Sequence, residues 1–107
     1  MSTFDEREKG FEAKFSRDQE HDFRAIARRN KLLGLWAAEQ MGLTGDEAAS
    51  YALEVVDADF QRPGDDDVFE KVHGDLNAKG IDASEHLVRT RMEELLQEAV
   101  KQIDSGA

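Results

Sequence analysis

The chain has 107 residues, no cysteine and a formal net charge of −10, which is the size of one small domain. The absence of cysteine excludes disulfides, thiolate metal sites and a cysteine nucleophile. The acidic excess argues against a nucleic-acid-binding protein, because affinity for phosphate depends on lysine and arginine. No apolar run approaches the roughly 20 residues that cross a bilayer, so we expect a cytoplasmic protein without membrane insertion.

The charge is divided unevenly along the chain. Residues 1–44 carry eight acidic and eight basic side chains, whereas residues 45–107 carry sixteen acidic and six basic ones. The simplest interpretation of the acidic half is a solvated surface that favours solubility. Residues 1–44, in which acidic and basic side chains balance, therefore have a different electrostatic role from residues 45–107.

Apolar residues recur at spacings of three and four along most of the chain, which predicts an all-α protein. We expect helices over about 18–41, 45–61, 66–79 and 83–104. Gly42 and Gly80 are typical helix stops, Pro63 ends the second helix, and capping boxes begin at Thr44 and Asp82. Because short loops favour antiparallel neighbours, residues 18–107 are predicted to form a four-helix bundle.

Each of the first two helices has an apolar arc that we expect to face the core. The arc of the first helix consists of Phe23, Ile26, Asn30, Leu33, Ala37 and Met41. The arc of the second helix consists of Ala49, Leu53, Val56 and Phe60, flanked by Ala48, Ala52 and Val55. Leu32, Leu35 and Trp36 lie off the first arc, so this helix is either wrapped by the other helices or keeps one face for a partner.

Residues 1–17 lie outside this scheme. Phe4, Phe11 and Phe15 would share one helical face at intervals of seven and four, but Gly10 and many charged neighbours weaken the helix. A short isolated helix is marginal in water, so we expect a flexible or partly helical segment that becomes ordered when it docks. The alternative is that the segment extends the first helix and packs its phenylalanines onto the bundle.

Patterns that carry catalysis or metal binding are missing from the sequence. There is no His-x-x-x-His pair, no glycine-rich phosphate loop and no nucleophile elbow around any serine. Three consecutive acids, Asp65 to Asp67, are better explained by the positive end of a helix than by a magnesium site. We therefore expect no catalytic residue, no metal, no cofactor and no enzymatic activity.

One basic face stands out on the first helix. Arg24, Arg28 and Lys31 are spaced four and three apart, on the side opposite the core arc. Such a face can hold an acidic partner surface or a phosphate. The alternative is that it is solvated or pairs with the acidic later helices.

Two stretches of the sequence carry a family resemblance. Residues 11–15 read Phe-Glu-Ala-Lys-Phe, and residues 27–39 read Ala-Arg-Arg-Asn-Lys-Leu-Leu-Gly-Leu-Trp-Ala-Ala-Glu. With the opening residues 1–8, they closely resemble the ζ subunit family of alphaproteobacterial F-type ATP synthases, which inhibits ATP hydrolysis by the catalytic head. The resemblance implies a four-helix bundle with a mobile N-terminal segment that inserts at a catalytic interface and blocks rotation in the hydrolytic direction.

The resemblance also indicates which residues would bind the head. The partner-binding residues that it implies in the segment are Phe4, Arg7, Phe11, Lys14, Phe15 and Arg17. The protein would be cytoplasmic, monomeric when free, and peripherally associated with the membrane-bound enzyme. Two other functions stay open: a module that senses a nucleotide or phosphate weakly through Arg24, Arg28 and Lys31, and an acidic adaptor that binds a basic protein.

Overall fold

The computed structural model describes residues 2–61 and 64–106, with side chains for residues 20–59 and 64–106. Four helices follow one another: α1 (Ser2–Gln40), α2 (Gly45–Gln61), α3 (Asp65–Ala78) and α4 (Glu85–Asp104). The prediction of an all-α four-helix protein is confirmed. Helices α2 to α4 lie within two residues of the predicted bounds, whereas α1 runs without a break through the expected boundary at residue 18. The independent mobility of residues 1–17 stays a prediction.

Glycine ends α1 as the sequence predicts. Gly42 has a φ of 79°, and the next residue, Leu43, donates its backbone N–H to the carbonyl of Ala38 at 2.9 Å. A left-handed glycine followed by this six-residue hydrogen bond satisfies carbonyls that the helix leaves without partners. Gly80 ends α3 in the same way, with a φ of 81°.

The start of α4 differs from the capping box that was predicted to begin at Asp82. Ser84, not Asp82, is the N-cap, and its side chain accepts a hydrogen bond from the backbone N–H of Leu87 at 3.1 Å. The residue between them, Ala83, is buried in the core. The helix therefore begins two residues later than predicted, after the chain has packed Ala83 inward.

Helix α1 is the central helix of the bundle, because it makes the most extensive contacts, chiefly with α2 and α4. The side chains that α1 contributes to the core are apolar, and Leu33, Ala37 and Ala38 are fully buried. The buried cluster is completed by Tyr51, Val55, Val68, Phe69, Val72, Leu76, Ala83, Val88 and Met92. Trp36 packs partly buried against this cluster, and Leu35 is more exposed, so the other helices wrap α1 incompletely.

Helices α1 and α2 approach each other closely at Gly34. A Cβ atom added to Gly34 would lie 2.6 Å from the Cα of Ala52 and 3.2 Å from a methyl group of Val55. Real carbon atoms that are not bonded stay about 3.5–4.0 Å apart. The absence of a side chain at Gly34 therefore allows the backbone of α1 to pack against α2.

This close approach overturns the predicted core face of α2. Tyr51, Ala52 and Val55 are buried, whereas Ala49 and Leu53 are exposed. The sequence offers two apolar stripes on α2, and the stripe with the small Ala52 faces α1 because it fits the gap at Gly34. Phe60, the last residue of the predicted face, lies outside the described side chains.

The core arc predicted for α1 is correct in its second half and wrong at its start. Asn30, Leu33 and Ala37 are fully buried, but Phe23 is 59% exposed. His21, two residues earlier, pairs with Asp104 at the end of α4. Phe23 therefore lies level with the end of α4, where less of the bundle is available to cover it.

Candidate functional site

The residues expected in the inhibitory segment belong to the first part of α1. Their side chains lie outside the described residues: Phe4, Arg7, Phe11, Lys14, Phe15 and Arg17. Their role in partner binding stays a prediction.

The three residues of the predicted basic face lie in different environments. Arg24 is exposed, and its Nη2 is 3.5 Å from Oε1 of Glu20, one turn earlier on α1. Arg28 is half-buried, and its Nη1 donates to Oε1 of Gln102 on α4 at 2.8 Å. Lys31 is exposed. Arg24 and Lys31 are therefore exposed while Arg28 ties α1 to α4, and the binding of a phosphate or an acidic partner by this face stays a prediction.

Arg24, Arg28 and Lys31 nevertheless border one concave surface, which we call the α1–α2 groove. It has a volume of about 560 Å³. Its apolar lining consists of Phe23, Ala27, Leu53, Val56 and Ile103. The structure thus brings the predicted basic residues together with exposed apolar side chains that the sequence pattern assigned to the core.

Arg29, which follows directly in the sequence, is a buried cation. Only 2% of its surface is exposed, and its Nη2 donates to Oδ1 of Asp65 at 2.8 Å. Its Nε donates to Oδ1 of Asn30 at 2.9 Å. A buried guanidinium needs such partners, because removing it from water is costly. Arg29 therefore joins α1 to the first turn of α3.

The three acids at the start of α3 lie at its positive end as predicted, but none of them caps the helix, because the N-cap is Gly64 without a side-chain hydrogen bond; two of them also hold other helices. All three lie in the first turn, where a negative charge favours the helix dipole. Asp65 holds Arg29, and Asp66 accepts from Nη2 of Arg89 on α4 at 2.9 Å. The Arg89 guanidinium also lies 4.1 Å from the centre of the Phe69 ring. This cluster is a structural contact between helices.

His21 joins the last residue of α4. Its Nε2 lies 2.8 Å from Oδ1 of Asp104, and its Nδ1 lies 3.8 Å from a carboxylate oxygen of Asp22. The hydrogen bond with Asp104 raises the pKa of His21 above its ordinary value of 6.5, although desolvation acts in the opposite direction. The protonated form of His21 is thus favoured where α1 leaves the end of α4.

A second polar cluster joins α2 and α3. The hydroxyl of Tyr51 donates to Oδ2 of Asp75 at 2.8 Å, and Nζ of Lys71 lies 3.1 Å from the same oxygen. Lys71 also reaches Oε1 of Glu54 at 3.4 Å. Burial, assisted by Asp75, raises the pKa of Tyr51, so the phenol stays a hydrogen-bond donor. The cluster resembles a structural clamp more than a reactive site.

The described side chains contain no group of three or more histidine, cysteine or carboxylate residues arranged to hold a metal ion. Among the helices that the structure describes, none is long and apolar enough to cross a membrane.

Sequence reasoning missed the placement of three residues. The sequence pattern assigns Phe23 and Leu53 to the core, where the structure leaves them exposed, and it gives no role to Arg29, which is buried. The signal for Arg29 was present, because it lies four residues from both Ala25 and Leu33, which are buried. The signal for Leu53 was ambiguous, because α2 carries two apolar stripes.

Comparison with solved structures finds a close relative of known fold. A chain described as a solution NMR structure is 49% identical, has a TM-score of 0.69, and matches 79% of this chain and 96% of its own length. Comparison with curated proteins finds no match. The family model described as ATPase inhibitor subunit zeta matches residues 1–102. Since this match covers nearly the whole sequence, the chain belongs to the ATPase inhibitor subunit zeta family.

Proposed function

We propose that the protein inhibits ATP hydrolysis by wedging residues 1–17 into a catalytic interface of the ATP synthase head, which blocks rotation. The length of α1 carries this proposal. Helix α1 has 39 residues, whereas the longest of the other helices, α4, has 20. At about 1.5 Å per residue, α1 is roughly 30 Å longer than α4. His21, paired with the last residue of α4, marks the point on α1 where that helix ends.

The continuity of α1 makes such a wedge physically reasonable. Starting a new helix is costly, because several residues must be fixed before the first hydrogen bond forms. A segment that continues the helix of the bundle only has to extend an existing helix. Phe4, Phe11 and Phe15 would each contribute about 1.5–3 kcal/mol if fully buried in the interface. This gain offsets only part of the entropy of ordering the segment, about 1–2 kcal/mol per residue for any part not already ordered, so the bundle would add contacts of its own.

The basic residues of the segment give the wedge its electrostatic specificity. Arg7, Lys14 and Arg17 would pair with acidic groups around the interface. Inhibition of this kind needs no bond to be made or broken by the inhibitor. We therefore assign no catalytic role to any residue, and we place the protein at the head of the membrane-bound enzyme as a monomer.

The test measures ATP hydrolysis by a purified, matched catalytic head. We expect the full-length protein to inhibit, and a protein lacking residues 1–17 to have no effect. The buried cluster lies between Leu33 and Met92, so the shortened protein should keep its melting temperature and lose only the helical circular dichroism of the deleted residues. Full inhibition by a folded, shortened protein would contradict the wedge mechanism.

A full-length variant tests whether inhibition needs the phenylalanine side chains or only the presence of the segment. We expect Phe4→Glu, Phe11→Glu and Phe15→Glu, combined in one chain, to abolish inhibition as the deletion does. The matched control combines Arg7→Gln, Lys14→Gln and Arg17→Gln, which keeps the apolar anchors. This control should weaken binding most at low salt, because screened charges contribute less at high salt.

The α1–α2 groove supports a second candidate function, the sensing of a nucleotide or phosphate. Its single supporting observation is that Arg24, Arg28 and Lys31 line one groove of about 560 Å³. A titration with ADP or inorganic phosphate, followed by NMR, should then shift the resonances of these residues in a saturable way. Arg28→Glu should abolish the shifts, and the absence of shifts at millimolar ADP would remove this candidate.

A further inference from the structure

The α1–α2 groove exposes large apolar side chains that a small bundle normally buries. Phe23 is 59% exposed on the α1 wall, and Leu53 is 67% exposed on the α2 wall. A neighbouring cavity of about 270 Å³ shares Phe23, Ala27 and Val56, so the apolar lining continues toward Gly64 at the start of α3. Contiguous exposed apolar surface of this kind marks a site of contact with another protein.

The charged residues that line the groove are basic and lie on its α1 wall. Arg24 and Lys31 lie on the α1 wall, within a chain whose net charge is −10. Glu54 and Asp57 line a separate, adjacent concavity, and Glu54 is already paired with Lys71. The groove therefore fits an apolar ridge that carries carboxylates along the α1 side. Charges placed in this way fix the orientation of the partner and exclude wrong ones.

The side chains that already contact the arginines favour an apolar ridge of a protein, rather than a phosphate, as the ligand of the groove. Arg24 lies 3.5 Å from a carboxylate oxygen of Glu20, and Arg28 donates to Gln102. A phosphate would have to compete with these partners and would leave Leu53 and Phe23 in water. An apolar ridge would cover both side chains and leave the arginines at the edge, where their stems pack against it.

Phe23 follows Arg17 by six residues, which is about 9 Å along a helix. A protein that holds residues 1–17 is therefore within reach of the groove through the same uninterrupted α1. We propose that the α1–α2 groove is a second docking surface for the ATP synthase head, which rests on the proposed function of residues 1–17. Once the segment has bound, docking of the groove is an intramolecular step, so two modest contacts combine into a tight complex.

The test compares full-length variants by their dissociation constants and inhibition curves with a purified catalytic head. Leu53→Glu places a charge in the groove, and Leu87→Glu is the matched control, because Leu87 is 43% exposed at the start of α4 and lies outside the groove lining. We expect Leu53→Glu to raise the dissociation constant tenfold or more and Leu87→Glu to change it less than twofold. Lys31→Glu provides a second test through charge, with an expected rise that shrinks in high salt.

The outcomes separate this inference from the proposed function. If Leu53→Glu and Lys31→Glu bind like Leu87→Glu, the groove is not a docking surface, while loss of inhibition in the triple phenylalanine variant would still support the wedge. If the triple phenylalanine variant inhibits fully, the wedge fails, and a weakened Leu53→Glu would then make the groove the main contact. Circular dichroism and melting temperature confirm that each variant is folded.

Cross-linking identifies the occupant directly, because the chain has no cysteine of its own. Leu53→Cys and Leu87→Cys can each carry one photoreactive group on the full-length protein. We expect position 53 to cross-link to the head in the inhibited complex and position 87 not to do so. Cross-linking of position 53 to a second copy of the chain, or equal yields from both positions, would overturn the inference.

Discussion

Replacing Gly34 by alanine tests the close packing of α1 on α2. The new Cβ would lie 2.6 Å from the Cα of Ala52, so the two helices must separate locally by about 1 Å to restore ordinary carbon contact. Overpacking typically costs about 1–3 kcal/mol, and the upper half of this range applies because the opposing atom belongs to the backbone. Alanine also favours the helix by about 1 kcal/mol over glycine. We expect a net loss of about 1–2 kcal/mol.

Gly74→Ala is the matched control for Gly34→Ala. Gly74 lies in the middle of α3, and a Cβ added there would meet nothing within 4 Å. This variant gains the same helix propensity without a clash, so it should be more stable than the wild type by up to about 1 kcal/mol.

Thermal and urea unfolding, followed by circular dichroism, measure both variants. For a chain of this size 1 kcal/mol corresponds to about 4 °C, so Gly34→Ala should melt about 4–8 °C below the wild type. The difference between the two alanine variants isolates the steric cost, because the gain in propensity is common to both. If Gly34→Ala melts at or above Gly74→Ala, the close approach of α1 and α2 is wrong.

Two further predictions concern the ion pairs that hold α1. Asp65→Ala should cost about 1–3 kcal/mol in urea unfolding, since it leaves the buried guanidinium of Arg29 without its carboxylate, although Asp65 itself is 61% exposed. Asp66→Ala breaks a pair that is exposed on both sides and should cost less than about 1 kcal/mol. The raised pKa of His21 means that its contact with Asp104 stabilises the fold fully below pH 6.5 and is lost as the pH rises through the raised pKa. Asp104→Asn should therefore flatten the pH dependence of the melting temperature above pH 6.5 and lower the pKa of His21 measured by NMR.

Each of these predictions has a clear contrary result. Asp65 and Asp66 are neighbours in the first turn of α3, so their substitutions remove similar interactions with the helix dipole. Equal losses from both alanine variants would contradict the special cost of the buried cation. A pKa of His21 that does not change in Asp104→Asn would assign its shift to Asp22 instead.

The sequence was sufficient for the helices because their signals are local. Gly42 and Gly80 adopt the left-handed conformation that glycine permits, and Ser84 caps α4 within two residues of the predicted start. Apolar spacing within each helix, together with short loops, was enough to predict four packed helices. These features depend on residues a few positions apart, which a single sequence displays directly.

The core face of α2 could not be predicted because it depends on another helix. Two apolar stripes on α2 satisfy the same spacing, and the choice between them is made by the gap at Gly34, eighteen residues before Ala52. Arg29 poses the same problem, because its counterion Asp65 lies 36 residues away. The α1–α2 groove follows from the first of these choices, since burying Ala52 and Val55 leaves Leu53 exposed.

The uneven charge of the chain also has a structural role that composition alone does not show. Asp65 and Asp104, both from the acidic half, hold Arg29 and His21 of the charge-balanced half. Part of the acidic excess therefore fixes α1 in the bundle, in addition to any effect on solubility. Neither of these carboxylates lines the α1–α2 groove. Lys31 therefore remains exposed on the basic wall of the groove, beside its apolar surface. The docking that we propose for the groove depends on this arrangement, since a chain with a net charge of −10 would otherwise be repelled by carboxylates on a partner.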